Sequence, residues 1–319
     1  MQPIGRLPSS EPCSLAMSPD GTLLAAGYAD GSATLWDVGT RRALSSTAAT
    51  GDADDSAETQ VAFSHDGRLL AAASLNNGSV TLFKTSANPA PWMRFEAFES
   101  TRDDFVTGLA FFKEPKTGHT ALATVGGFDN HSKLTQMRLW TVHEKPKRNS
   151  DKHLYPSGKM AHFFGRVAAS SSDCVLSAAT NLRESDCART AFVRAAPAMR
   201  GRRVEVGSLS RYCGIVFSPV EARLAALSSN ELALVDAHFR VLSSMPPAKE
   251  AAFSADGTRL LAQACHGVRV WDVHSGAALS SLCTGSGKED LTCMAASLHS
   301  VVAVGRTTKN VGIELYDIL

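Results

Sequence analysis

The sequence predicts an all-β fold assembled from repeated antiparallel meanders. Three observations predict it. Asp-Gly or Asn-Gly pairs recur between apolar runs, the runs have strand length and not helix length, and a large side chain closes most recurrences. Asp-Gly between apolar runs marks a tight hairpin, because glycine accepts positive φ at no steric cost. Short Leu/Ala/Val runs bounded by such turns fit strands.

The first copy runs through Leu15-Ala16-Met17-Ser18-Pro19-Asp20-Gly21, then Thr22–Gly27, then Asp30-Gly31 and Ala33-Thr34-Leu35-Trp36-Asp37-Val38. The second is Val61–Gly67, Leu69–Ala73, Asn77-Gly78 and Val80–Phe83. A further clear copy is Ala252–Gly257, Leu260–Ala262, His266-Gly267 and Val268–Val273. Weaker copies fill the gaps. Leu109–Phe112 and Thr120–Thr124 lead to Met137–Thr141, and Val167–Ala169 and Cys174–Ala178 lead to Thr190–Val193. Ile215–Pro219 and Leu224–Leu227 lead to Leu232–Asp236, and Cys293–Ala296 and Val301–Val304 lead to Ile313–Asp317.

The anchors are then Trp36, Phe83, Trp140, Phe192, Val235, Trp271 and Tyr316, spaced 47, 57, 52, 43, 36 and 45 residues apart. A period of roughly 40–45 residues with four strands per unit is that of a β-propeller blade. With the Trp36-Asp37 and Trp271-Asp272 dipeptides, the sequence resembles the WD-repeat family over nearly its whole length. The resemblance implies a single seven-bladed propeller of four-stranded antiparallel blades. The blades fall at about 13–50, 57–98, 104–160, 161–209, 211–246, 248–284, and 290–319 plus 1–8. The chain departs from the family pattern in keeping only those two Trp-Asp pairs and in lacking a Gly-His opening. The buried Asp-His-Ser-Trp network of the family's best repeats is therefore expected to be incomplete. The last unit ends one strand short, while Gln2–Leu7 is unassigned and carries Ile4 and Leu7. The N-terminal segment is expected to supply the missing outer strand, because an open ring leaves unpaired strand edges.

Composition bounds the function. The chain has 319 residues, 44% of them hydrophobic and 20% charged, with a net charge of +1. This excludes disorder and a wholly basic nucleic-acid-binding surface. No uncharged apolar run approaches the ~18 residues of a spanning helix, and Met1–Ser10 has no signal-peptide core. The seven cysteines are scattered, without C-x-x-C or zinc-type Cys/His spacing, as expected of free thiols in a reducing compartment. The expectation is a soluble, unsecreted protein of the cytoplasm or nucleus.

Catalytic patterns are absent. Gly285-Ser286-Gly287-Lys288 looks like the tail of a phosphate loop, but Leu282 stands where its first Gly belongs and Glu289 where Ser or Thr belongs. There is no G-x-S-x-G elbow and no H-E-x-x-H. No catalytic residue, cofactor or metal ligand is expected, and the protein is not expected to be an enzyme.

Charge position says more than total charge. Residues 1–112 carry net −6, residues 113–211 net +9 and residues 212–319 net −2. In the repeat scheme, Lys113 and Lys116 fall in the turn between the first two strands of the third unit. Lys145, Lys147, Arg148 and Lys152 fall in its long loop between the last two strands. Arg200, Arg202 and Arg203 fall in the matching turn of the fourth unit. All are expected on one face, as candidate partner-binding residues. Asp52, Asp54, Asp55, Glu58, Glu99, Asp103 and Asp104 are expected on the opposite face. The family resemblance implies a non-catalytic scaffold mediating protein–protein contacts as a subunit of a larger intracellular complex. The alternative is an adapter that binds an acidic or phosphorylated peptide, RNA or anionic lipid through the basic sector.

Overall fold

The computed structural model describes residues 2–47, 59–74, 78–86, 90–96, 106–113, 118–126, 136–142, 147–153, 165–169, 175–179, 190–194, 202–205, 214–218, 221, 223–227, 231–236, 240–254, 256–264, 267–283, 291–296, 301–306 and 312–317. These residues hold strands and turns, with no helix among them.

Strand β1 (Gln2–Leu7) comes first, and the strands after it form successive meanders. The first sheet is β2 (Pro12–Met17), β3 (Leu23–Tyr28), β4 (Ala33–Asp37) and β5 (Arg42–Ser46). The second is β6 (Thr59–Phe63), β7 (Leu69–Ser74), β8 (Ser79–Lys84) and β9 (Ala90–Glu96). The third is β10 (Val106–Lys113), β11 (Thr120–Gly126), β12 (Gln136–Thr141) and β13 (Lys147–His153). The fourth is β14 (Gly165–Ala169), β15 (Val175–Ala179), β16 (Thr190–Arg194) and β17 (Arg202–Glu205). The fifth is β18 (Gly214–Phe217), β19 (Leu224–Leu227), β20 (Leu232–Val235) and β21 (Val241–Met245). The sixth is β22 (Ala251–Phe253), β23 (Arg259–Ala264), β24 (Gly267–Asp272) and β25 (Ala278–Cys283). The seventh sheet has β26 (Leu291–Ala296), β27 (Val301–Arg306) and β28 (Ile313–Asp317), and its fourth strand is β1. All pairings are antiparallel, and β1 runs against β28 from Gln2↔Asp317 to Leu7↔Ile313.

The first strand of each sheet lies beside the first strand of the next, and β26 lies beside β2. The core is accordingly laminated between sheets. Ala25, Leu35, Val61, Leu70 and Phe83 fill the seam between the first and second. Leu7, Leu24, Trp36, Ala303, Ile313 and Leu315 fill the seam between the seventh and first.

Two glycines permit the close approach of neighbouring sheets. A Cβ on Gly27 would collide with the Thr59 carbonyl of the second sheet, and one on Gly305 would sit 2.6 Å from Pro12 Cγ of the first. The Cys13 sulfur lies 3.3 Å from Gly27 O in its own sheet and 3.6 Å from Thr59 O across one seam, and the Cys293 thiol donates to Pro12 O at 3.4 Å across the other.

The turns explain why the repeated motif recurs. Ser18, Ser64 and Ser254 donate their hydroxyls to Asp20, Asp66 and Asp256 at 2.6, 2.7 and 2.5 Å. Each serine Oγ also accepts the backbone N–H of the next strand's first residues, Leu23, Leu69 or Arg259, at 2.9 Å. Gly21, Gly67 and Gly257 supply the positive φ. The Trp-Asp dipeptide has a similar local role. Asp37 accepts Thr40 N–H at 2.6 Å, and Asp272 accepts Ser275 N–H at 2.7 Å. The residue that follows has positive φ in both turns, Arg41 in one and Gly276 in the other.

The expected gap in the buried polar network is visible in the tryptophans. Trp140 Nε1 donates to Thr124 Oγ1 at 3.1 Å. Trp36 occupies the same register place, opposite Leu24 as Trp140 is opposite Leu122. Ala26 stands where Thr124 would be, and Trp36 Nε1 is buried without a partner among the described residues.

Candidate partner-binding surface

The outer strands β5 and β21 are largely exposed, and edge strands tolerate charge because only one side is paired. That tolerance corrects part of the sequence reading. Lys147, Arg148 and Lys152 do not lie in a loop; they belong to β13, which runs Lys-Arg-Asn-Ser-Asp-Lys-His. Arg202 and Arg203 likewise belong to β17 and not to a turn. Their polarity hid the strands, because Lys-Arg-Asn-Ser-Asp-Lys-His and Arg-Arg-Val-Glu carry no alternating apolar signal.

Register decides which of these residues share an end of their sheet. Lys113 pairs with Thr120 and Lys147 with Thr141, so both lie at the end that carries the first and third turns. Arg202 and Arg203 pair with Val193 and Phe192, at the corresponding end of the fourth sheet. Lys152 pairs with Met137 at the opposite end of β13. Five residues separate it from Lys147, about 16 Å at ~3.3 Å per residue. The structure therefore brings Lys113, Lys147, Arg148, Arg202 and Arg203 to one end and leaves Lys152 away from them. Lys116, Lys145 and Arg200 lie outside the described residues, as do Asp52, Asp54, Asp55, Glu58, Glu99, Asp103 and Asp104.

The well-defined ionisable groups of the surface serve turns. The Ser18 hydroxyl holds the Asp20 carboxyl below its usual range, with help from Thr22. For Asp66 and Asp256, partial burial is the largest influence and pushes upward. The Ser64 and Ser254 hydroxyls, the Arg68 and Thr258 N–H groups and the nearby arginine charges outweigh it, so both carboxyls also lie low. The Thr40 N–H lowers Asp37, and the Ser275 N–H lowers Asp272. Full burial, reinforced by the Glu250 charge, pushes the Cys293 thiol well up, so it stays protonated and unreactive at neutral pH. Among the described residues no cluster of His, Cys, Asp and Glu could hold a metal ion, and no helix is long and apolar enough to cross a membrane.

Sequence reasoning missed the fastening of β1. Arg6 reaches Glu314 across the strand pair at 3.0 Å, and Glu314 also accepts the Tyr316 hydroxyl. The Arg41 guanidinium donates to Ile4 O, and its side chain packs where a Cβ on Gly5 would be. The usable signal was Arg6 beside Leu7 in the segment expected to supply the missing outer strand.

Comparison with known proteins agrees with the architecture. Residues 1–37 match the family described as WD domain, G-beta repeat, a span that ends on Trp36-Asp37. No curated protein sequence matches the chain. Among solved structures, it resembles Chaetomium thermophilum Raptor with a TM-score of 0.73 at 15% identity, over 99% of this chain and 29% of that one. It resembles the β-propeller domain of Myceliophteria thermophila Cps50 (Swd1) with a TM-score of 0.72 at 16% identity, over 99% of both. The match to a WD repeat covers residues 1–37, and the chain has the all-β fold of a β-propeller domain.

Proposed function

We propose that this WD-repeat propeller is one domain over residues 1–319, a ring of seven blades closed by β1. Seven four-stranded sheets, the β1–β28 ladder and the neighbouring β26 and β2 support that reading. The blades are those expected from the repeats, about 13–50, 57–98, 104–160, 161–209, 211–246, 248–284, and 290–319 with 1–8. We infer that the domain acts as a non-catalytic scaffold, a subunit of an intracellular assembly in the cytoplasm or nucleus that holds other proteins. The observation that carries this is the fold itself. The apolar side chains go into seams between sheets, and the turns and outer strands are left as a fixed surface. Fold alone assigns no chemistry. Affinity purification from native cells, with mass spectrometry of co-purifying chains, tests it. The expected result is a set of stoichiometric partners; a chain recovered alone would contradict the reading.

A second reading assigns the basic sector to an acidic or phosphorylated peptide, with RNA or anionic lipid as other ligands of that charge. Lys113, Lys147, Arg148, Arg202 and Arg203 support it by sharing one end of neighbouring sheets. Charge reversal of Lys147, Arg148, Arg202 and Arg203 should abolish recovery of such a partner, and binding should fall steeply with salt. Undiminished recovery would remove this reading and leave the first intact.

A further inference from the structure

One acidic residue recurs at a fixed place in the repeat and is missing from three neighbouring sheets. It follows the anchor, at the end of the third strand, where the first and third turns lie. It is Asp37, Asp236, Asp272 and Asp317 in the first, fifth, sixth and seventh sheets. The second, third and fourth sheets have Lys84, Thr141 and Val193 there.

Register shows what stands across from this place on the outer strand. Asp37 pairs with Arg42, and the Asp236 N–H donates to Arg240 O at 3.0 Å, so both arginines stand against an aspartate. Thr141 pairs with Lys147 and Val193 with Arg202. The next outer-strand residue stands opposite the anchor and is again basic, Arg148 opposite Trp140 and Arg203 opposite Phe192. The third and fourth sheets therefore carry a dibasic pair at one shared register place, and neither pair has an acid opposite it. In no other sheet is that pair dibasic. Strand β10 lies beside β14, so the two sheets adjoin.

Acids of the connecting chain do not cancel this charge. Residues 113–119, 141–148, 170–174 and 193–203 join or end the strands at that end of the two sheets. They hold nine Lys or Arg and three Asp or Glu, a net +6. The matching segments of each other sheet carry no more than +1.

The neighbouring sheets decide the occupant. At the same end, Asp20 and Asp37 stand on the first sheet, Asp66 on the second, and Asp256 and Asp272 on the sixth, all ionised at neutral pH. An anionic membrane contacts several sheets at once, and a long nucleic-acid strand crosses from one sheet to the next, so both would meet these carboxylates. A single phosphoryl group makes about one to three charge-assisted hydrogen bonds, fewer than nine cations can give. A short run of carboxylates matches the sector in sign and in extent.

We propose that the third and fourth sheets form a docking sector for a short acidic segment of a partner protein, bound through Lys147, Arg148, Arg202 and Arg203. The sector rests on the basic-sector reading above and selects one of its ligands. To test it, a photo-crosslinking benzoylphenylalanine replaces Asn149, beside Arg148, or Val204, beside Arg203, in the full chain in native cells. Mass spectrometry identifies what is crosslinked, with RNA and lipid adducts sought alongside peptides. The expected product is a partner peptide with a run of Asp and Glu. Lys147→Glu with Arg148→Glu and, separately, Arg202→Glu with Arg203→Glu should each cut recovery of that partner at least about tenfold. Arg42→Glu with Arg240→Glu, at the matching places of the first and fifth sheets, should leave it within about twofold; an equal loss there would overturn the sector. If a reversal lowers the melting temperature, Thr141→Asp decides. It sets against Lys147 the aspartate that Asp37 sets against Arg42, removes no basic residue, and should cut recovery about threefold. Crosslinks to RNA, to lipid, to a second copy of this chain or to a phosphorylated peptide without an acidic run, lost on charge reversal, would overturn the acidic-segment inference and leave the basic-sector reading standing. Recovery untouched by both reversals and by Thr141→Asp, or a chain that crosslinks to nothing, would overturn both.

Discussion

The seam between the first and second sheets joins segments close in sequence, whereas the seam between the seventh and first joins the two ends of the chain. Both are built to one plan. In each, a glycine late in the sheet's second strand leaves room for the next sheet, a cysteine sulfur lies against a carbonyl across the seam, and an apolar cluster fills the gap. They differ in what holds the outer strand. β5 follows β4 through a short turn, but β1 comes from the far end of the chain and has no turn to hold it to β28. Fastening contacts appear at that place: Leu7 buried in the seam, Arg6 on Glu314, and Arg41 on the Ile4 carbonyl. Joining distant chain segments costs closure entropy, and these contacts offset it. Arg41 itself adopts φ 59°, where the equivalent turn has Gly276. A non-glycine residue there costs about 1 kcal/mol, and the Ile4 contact gives that conformation a use.

The largest expected effect comes from breaking the terminal seam outright. Removing residues 2–10 deletes a whole strand and the Leu7 plug. Leu7 truncation alone is worth about 2–5 kcal/mol, so the melting temperature should fall by roughly 5–15 °C. An unchanged melt would mean that β1 contributes nothing to the seam. Next come the two glycines. Gly27→Ala and Gly305→Ala should each destabilise by about 1–3 kcal/mol through overpacking, and by similar amounts if the seams are equivalent. Denaturant midpoints would show a disparity. Ala26→Ser sharpens a smaller difference, between the first sheet and the third. It offers Trp36 Nε1 the acceptor that Thr124 gives Trp140, and should stabilise by about 1 kcal/mol; a loss of stability would mean that the pocket has no room for the hydroxyl.

The smallest effect is the acid limb of stability. Asp20, Asp37, Asp66, Asp256 and Asp272 have folded-state carboxyls below their ordinary value of 3.8. A depressed folded pKa gives stability that is present above the unfolded value and lost as pH falls through the folded one. Melting temperature should therefore be insensitive to these groups at neutral pH and fall below about pH 4. Replacing Asp20, Asp66 and Asp256 by Asn should flatten that limb. A limb of unchanged steepness would place the acid-sensitive groups elsewhere.

Much of this fold was legible from local chemistry. Ser18-Pro19-Asp20-Gly21 and its copies announce themselves because one turn needs a hydroxyl, a carboxylate and a positive φ at fixed spacing. Inner strands such as β3, β19 and β20 are legible because both of their faces are covered. The outer strands are not. Lys147–His153 and Arg202–Glu205 carry no alternating apolar signal, so spacing alone reads their basic residues as loops. Register then separated Lys152 from the rest, which no reading of spacing could do.

The central claim is that β1 makes the seventh sheet a full member of one closed ring. Hydrogen–deuterium exchange of the β1 amides tests it most directly, read against those of β4 and β5 in the intact chain. If the ring is closed, β1 and β28 exchange only with the cooperative opening that exposes the first sheet. If β1 exchanges as a frayed terminus while β4 stays protected, the strand is an appendage and the ring account is wrong.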